Sequence, residues 1–280
     1  MFGFFNRGHG LFLENHASRT TSVGEIVRGV SSAIPESEPV RTALKLCLDG
    51  MSNIAVTDKK GECVRGRINS RMLLNYLGGG SLHQLYVTRK DALKLPVSRI
   101  MEPVVTRLDR KRNLHKTLAI FRGTGCEAIP LTNKGRIDGM VTEGDMVSMI
   151  SRPTGVKVWE VMTRKPVVAK TSNPVSEVAG MIVRGGYKRL PVLRDSFITG
   201  VVGSSDILKY LNTNRNLSGL RKDRNSIEKA MNKFVSTVDP NADVHEAVGI
   251  MGEKVISMLP VVRDYQTVGI LTHRDILEAM

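Results

Sequence analysis

Two stretches of this chain set a threonine three residues ahead of an aspartate, just after a glycine and two apolar residues. They are Gly139-Met140-Val141-Thr142-Glu143-Gly144-Asp145 and Gly269-Ile270-Leu271-Thr272-His273-Arg274-Asp275. A third, Gly200-Val201-Val202-Gly203-Ser204-Ser205-Asp206, keeps the aspartate but has Gly203 at the threonine position. A fourth, Gly66-Arg67-Ile68-Asn69-Ser70-Arg71-Met72, ends in methionine. An ionised aspartate can accept the two hydroxyl donors of a ribose. A helix N-terminus offers unpaired N–H groups and the positive end of its dipole to a phosphate, and a threonine hydroxyl there can join them. The same spacing is also a capping box, the ordinary reading of Thr-x-x-Asp in an isolated segment. Chemistry at these residues therefore depends on what positions them.

What positions them is a repeat. Met101, Met162 and Met231 each precede the motif glycine (Gly139, Gly200, Gly269) by 38 residues, and Pro130, Pro191 and Pro260 each precede it by nine. The first copy has Val27 in the Met position and Ala55 near the Pro position. Identical spacings between three landmarks declare four repeats of about 55 residues, each too small to bury a core alone. Each reads as helix, strand, helix, strand, strand, helix, with a brief β-run such as Val104–Thr106 after the opening turn. Apolar residues at helical spacing (Leu114, Leu118, Phe121; Val175, Val178, Ile182; Val244, Ala247, Val248, Met251) mark the middle helix, and Asn173-Pro174 marks its start. The expected division is an extension over 1–20, repeats over 21–77, 97–150, 156–211 and 226–280, and linkers at 78–96 and 212–225. The fold class is α+β: four repeats paired as 1+2 and 3+4 into two pseudo-symmetric modules packed as a flat disk. The short link Ser151–Gly155 implies close packing of the modules.

Composition narrows the function. Forty-one per cent hydrophobic residues mark a globular chain, and no apolar run approaches the roughly 20 residues of a spanning helix. Cys47, Cys63 and Cys126 are odd in number and without Cys-x-x-Cys pairing, which points to a reducing, cytoplasmic setting without disulfides or a zinc site. The six histidines lack metal-ligand spacing, no nucleophile–base–acid set is visible, and no Walker or dinucleotide glycine motif occurs. A non-enzymatic protein is expected. The net charge of +14 favours an anionic partner. Basic clusters at Arg107–Lys116 and Arg215–Arg224 are not interleaved with aromatics, which weakens a base-stacking nucleic-acid reading.

The segments Met162-Thr163-x-x-Pro166-Val167, Lys188-Arg189-Leu190-Pro191-Val192 and Gly269–Leu277 resemble those of the cystathionine-β-synthase (CBS) domain family. The four-repeat arrangement resembles archaeal relatives of the AMP-activated protein kinase gamma subunit. The resemblance implies an adenosine ligand (AMP, ADP or ATP, with S-adenosylmethionine as a further candidate) in crevices between paired repeats, where Asp holds the ribose and Thr or Ser faces phosphate. It assigns Thr272 and Asp275 to one crevice with Thr163, Pro166, Val168, Tyr187, Lys188, Arg189 and Pro191, joined by His273 and Arg274. Thr142 and Asp145 form a second with segments near Arg28, Ala33 and Asn53, where Glu143 would repel a phosphate. Ser204 and Asp206 form a third. Asp275 ranks first, Asp145 and Asp206 next, and the Met72 copy last, since Asn69 still caps a helix but Met72 offers ribose nothing. The implied function is a nucleotide sensor acting on a regulated protein, with a second copy of the chain left open as a partner. The alternative is a nucleic-acid-binding protein using its basic surface.

Overall fold

The computed structural model describes residues 22–27, 33–80, 92–104, 106–134 and 136–280. The first unit runs through helix α1 (Val23–Ile26), strand β1 (Ala33–Pro35), α2 (Val40–Leu48), β2 (Asn53–Thr57), β3 (Val64–Asn69) and α3 (Ser70–Leu74). The second opens on a 3-10 turn (Val97–Arg99) and continues with β4 (Glu102–Pro103), β5 (Leu108–Asp109), α4 (Leu114–Thr124), β6 (Ala128–Asn133), β7 (Arg136–Thr142) and α5 (Glu143–Val147). The third holds α6 (Val158–Val161), β8 (Ala169–Lys170), α7 (Val175–Gly185), β9 (Arg189–Arg194), β10 (Phe197–Gly203) and α8 (Ser204–Thr213). The fourth has a 3-10 turn (Ile227–Lys229), α9 (Val244–Lys254), β11 (Met258–Arg263), β12 (Gln266–Thr272) and α10 (His273–Ala279).

One expected element is displaced. Of the expected run Val104–Thr106, Val105 lies outside the described residues and Val104 and Thr106 are in no strand; the brief strand is at Leu108–Asp109, pairing parallel with Leu131 and Thr132. The reason is a prior commitment: Glu102 and Pro103 pair with β3 of the first repeat, and Val104 donates to the carbonyl of Arg65. Only beyond that contact can the chain join its own sheet. Pro174 is the N-cap of α7 rather than a residue of its first turn.

Each repeat hands its opening turn to its partner. The first N–H of these turns has no intrahelical acceptor. Val23 donates instead to Arg112, Val97 to Glu38, Val158 to Ala242 and Ile227 to Asn173, each acceptor two residues before the partner's middle helix. All four apolar side chains are fully buried there. This exchange runs 1 with 2 and 3 with 4, the module pairing expected from the linkers.

The landmark residues now acquire a cause. A Cβ on Gly269 would lie 2.8 Å from the Thr163 carbonyl and 2.9 Å from Met162 Sδ. One on Gly66 would meet Met101 Sδ at 2.7 Å, and one on Gly200 would meet Met231 Sδ at 2.5 Å. The methionine of one repeat thus packs on the glycine of its partner. The proline–glycine spacing is a hairpin register: Pro130, Pro191 and Pro260 face Met140, Val201 and Ile270, the residues after the glycine. All four hairpins carry a bulge immediately beyond the glycine pair.

The modules join through helices. One core unites repeats 1 and 3 (Leu44, Leu73, Leu74 with Val178, Ile182, Leu208), and a second unites repeats 2 and 4 (Phe121, Met146, Val147 with Met251, Ile276, Leu277). The link between modules is pinned by Asp243, whose carboxylate caps α9 and accepts from Thr154 N (3.0 Å), Thr154 Oγ1 (2.8 Å) and Gly155 N (2.7 Å). Burial opposes ionisation of Asp243, but the hydrogen bonds from His245, Thr154 and Gly155 hold it below the usual carboxylate value.

The middle helices of repeats 2, 3 and 4 end on a left-handed residue: Gly125 (φ 65°), Gly186 (φ 69°) and Val255 (φ 53°). A β-branched residue is strained there, whereas glycine is not. Val255 is also 86% exposed, so its side chain gains nothing in return. Val255→Gly is expected to raise stability by about 1 kcal/mol, read from the urea-unfolding midpoint.

Candidate functional site

The four closing helices α3, α5, α8 and α10 begin where their strands end, and their N-termini converge on one cavity of about 540 Å³. Every repeat contributes to its wall: Asn53, Ser70 and Arg71; Glu127, Thr142 and Asp145; Lys188, Arg189, Ser204, Asp206 and Lys209; Ser257 and His273. Across the centre, Ser70 Oγ and Ser204 Oγ meet at 2.6 Å, the first residues of α3 and α8. Glu143 and His273 hold the same position on α5 and α10.

The capping chemistry is realised in each copy. Thr142 donates from N and Oγ1 to Asp145 Oδ2, both at 2.7 Å, and its Oγ1 accepts from Asp145 N at 3.2 Å. Thr272 and Asp275 repeat this, with Oγ1 to Oδ2 at 2.5 Å. At Gly203 only the backbone N–H remains to meet Asp206 Oδ2, at 2.7 Å. Asn69 Oδ1 accepts from Met72 N at 3.0 Å, so the first copy caps its helix without a carboxylate.

The second carboxylate oxygen separates the copies. Asp275 Oδ1 accepts from Thr163 Oγ1 at 2.7 Å, so both its oxygens are engaged, and neither residue lines the cavity. Asp145 and Asp206 do line it, and their Oδ1 atoms accept no hydrogen bond from the described residues. Burial pushes Asp206 and Asp275 above the usual carboxylate value, against the hydrogen bonds each receives. On the wall with Asp145, Asn53 Oδ1 is buried with no hydrogen-bond partner among the described residues.

The basic residues grouped with Asp275 go elsewhere. Arg189 Nη1 donates to Ser257 Oγ at 2.5 Å, and its charge acts on Asp206. Lys188 pairs with Glu143. Arg274 Nη2 makes an ion contact with Glu143 Oε1 at 2.5 Å, and its guanidinium donates to the carbonyls of Phe121 (3.0 Å) and Cys126 (3.2 Å). Glu143, 2% exposed, therefore does not face a ligand as a bare repulsive charge, as its place after Thr142 implied; it is buried between two cations. His273 is not a cation either. Burial, followed by the charges of Lys188 and Arg189, lowers its pKa to about 4.

Among the other expected site residues, Pro191 is buried in the sheet opposite Val201, and Tyr187 packs against the core of repeats 1 and 3. Pro166 and Val168 are half-buried and stand off the cavity wall. Ala33 is exposed at the start of β1, and Arg28 lies outside the described residues. The sequence reading missed Ser52, Glu127, Ser257 and Lys209, all on the wall. A signal for three of them was present: Ser52, Glu127 and Ser257 occupy the register position of Lys188, three residues before the proline landmark or its Ala55 equivalent.

Among the described residues no group of three His, Cys, Asp or Glu side chains could hold a metal ion, and no helix is long and apolar enough to cross a membrane. Residues 158–213 and 226–280 match the CBS domain family. The protein MJ1225 of Methanocaldococcus jannaschii is 26% identical over 240 residues, 80% of this chain and 86% of that protein. A 33.4 kDa protein in the ribosomal RNA operon of Thermofilum pendens is 25% identical over 266 residues, 88% and 86% of the two chains. The crystal structure of MJ1225, proposed as an archaeal homolog of γ-AMPK, superimposes with a TM-score of 0.83 at 23% identity and covers 92% of this chain and 99% of that one.

Proposed function

We propose that this chain, whose residues 158–213 and 226–280 match the CBS domain family, is a non-enzymatic regulatory protein that binds an adenosine-containing ligand at the junction of its four repeats. The observation that carries this reading is the pair of carboxylates, Asp145 and Asp206, held on the wall of one shared cavity with an oxygen to spare. A capping aspartate has no need of its second oxygen, whereas a ribose diol needs an acceptor of this kind. In the proposed complex Asp206 takes the ribose, while Arg189, Ser204 and Ser257 face the phosphate end. Asp145 with Asn53 supplies a second crevice. The outer pair, Thr163 and Asp275, with Thr272 held in its capping box, would bind only by giving up its internal hydrogen bond, so it ranks below the other two.

Because all four repeats meet at this cavity, a ligand that prefers one packing of the modules would shift the population toward it, and a regulated protein would read the difference. Against a nucleic-acid partner, part of the basic charge is already committed. Arg107 donates to the Val64 carbonyl, and Arg110 pairs with Asp138 and donates to Gly24. Calorimetric titration with AMP, ADP, ATP and S-adenosylmethionine tests the proposal. Asp206→Ala is expected to weaken binding at least tenfold, about 1.4 kcal/mol. Failure of every adenosine compound to bind below millimolar concentration would sink it, and a steep salt dependence of RNA or DNA affinity would favour the alternative.

A further inference from the structure

We propose that Glu143 is a built-in counter-anion that sets the phosphate count of the ligand, favouring a monophosphate over a triphosphate; this rests on the reading just given. The cavity wall carries four cations (Arg71, Lys188, Arg189, Lys209) and three carboxylates (Glu127, Asp145, Asp206). Arg71 is spent on Glu127 at 2.6 Å. The charges of Arg189 and Lys209 act on Asp206. Lys188 is the remaining cation, its side chain 35% exposed, and Glu143 bonds it from behind the wall. With Glu143 and its second partner Arg274 counted, five cations meet four carboxylates, so Glu143 cuts the excess positive charge at the site to one.

A buried ion cannot turn away to make room as a surface side chain can. Glu143 is fixed by its place as the first residue of α5, by Lys188 from repeat 3 and by Arg274 from repeat 4. Its charge therefore persists when a ligand arrives. A triphosphate brings more negative charge than the wall can match, and in a site of reduced dielectric the excess is poorly screened. A monophosphate asks far less of Lys188. His273 adds no cation to the account at neutral pH. Glu143 also joins one module to the other, so a phosphate drawing Lys188 away would loosen that joint.

The test is the ratio of AMP to ATP affinity by metal-free calorimetry in wild type, Glu143→Gln, Lys188→Met and the Glu143→Gln/Lys188→Met pair. Wild type is expected to bind AMP more tightly than ATP. Glu143→Gln should move the ratio at least tenfold toward ATP, and the double variant should return it to within threefold of wild type. Lys188→Met should move it at least fivefold the other way, and that variant decides the matter if Glu143→Gln does not fold. A ratio within threefold of wild type in both single variants overturns the proposal while leaving nucleotide binding intact. If wild type binds neither nucleotide, the adenosine reading itself fails, and this inference with it.

Discussion

Gly269→Val is expected to destabilise the protein by about 3 kcal/mol, the upper range for forcing extra atoms into a packed contact. The first added atom alone would stand 2.8 Å from the Thr163 carbonyl oxygen, and that oxygen cannot easily retreat. It accepts from Ile270 N at 3.0 Å, while Thr163 N donates to Ile270 O at 2.9 Å, so the two segments are tied in both directions. Valine must break this bridge or distort β12. Met162, whose sulfur would lie 2.9 Å from the new Cβ, is displaced as well. The turn carrying Val158 then loosens from α9, and the Thr163–Asp275 hydrogen bond goes with it. Gly252→Ala is the control: it lies on α9 with nothing within 4 Å of the added Cβ, and it should gain up to about 1 kcal/mol from helix propensity. Chemical denaturation of both variants decides the point. A loss below about 1 kcal/mol for Gly269→Val would mean that the turn exchange is not held by this contact.

That contact also shows how far the sequence could be read. The distances from Met162 to Gly200 and from Met231 to Gly269 revealed the repeat, because every copy builds the same hairpin with the same bulge. They could not reveal that Met162 touches Gly269 and not its own Gly200. Spacing reports register within one repeat, and pseudo-symmetry makes either partner fit the pattern. The β-run assigned to Val104–Thr106 failed for the same reason, since Glu102 and Pro103 had already joined the neighbouring sheet. At the site, the capping roles of Thr142, Thr272 and Asn69 were legible because they depend on residues three apart on one helix. The fate of Lys188, Arg189 and Arg274 was not. Each reaches a partner 45 to 131 residues away: Lys188 and Arg274 meet Glu143 through the packing of one module on the other, and Arg189 meets Ser257 through the pairing of repeats 3 and 4. Glu143 misled because a carboxylate beside a threonine expected to face phosphate reads as repulsion until its two cations are known.

The second large effect is on acid stability, and His273 causes it. Its ring packs on the start of α5, with Cε1 3.0 Å from where a Cβ on Gly144 would be, and faces Lys188 and Arg189. Burial and then those two charges lower its pKa from 6.5 to about 4. Between these values the unfolded chain binds a proton that the folded chain refuses, so stability rises with pH across the window and is lost as pH falls through it. The contribution is complete above pH 6.5. It should fall by about 2 kcal/mol at pH 5 and by about 3 kcal/mol once the folded ring is protonated. Asp206 and Asp275 act in the opposite sense, since burial raises both carboxylates and so favours the folded state as acid is added. A variant that lacks the ring but keeps both aspartates therefore isolates the histidine. His273→Gln keeps a polar side chain of similar reach without the titration, and it should flatten stability over the interval from pH 6.5 to 5 while leaving the value at pH 7.5 within about 1 kcal/mol of wild type. Denaturant unfolding of both proteins at pH 7.5, 6.5, 5.5 and 5.0 is the measurement. An acid loss of equal size in His273→Gln would place the sensitivity elsewhere. If the loss follows His273, the centre of the molecule excludes protons at neutral pH, leaving Glu143, Lys188 and Arg274 to set the charge a ligand meets.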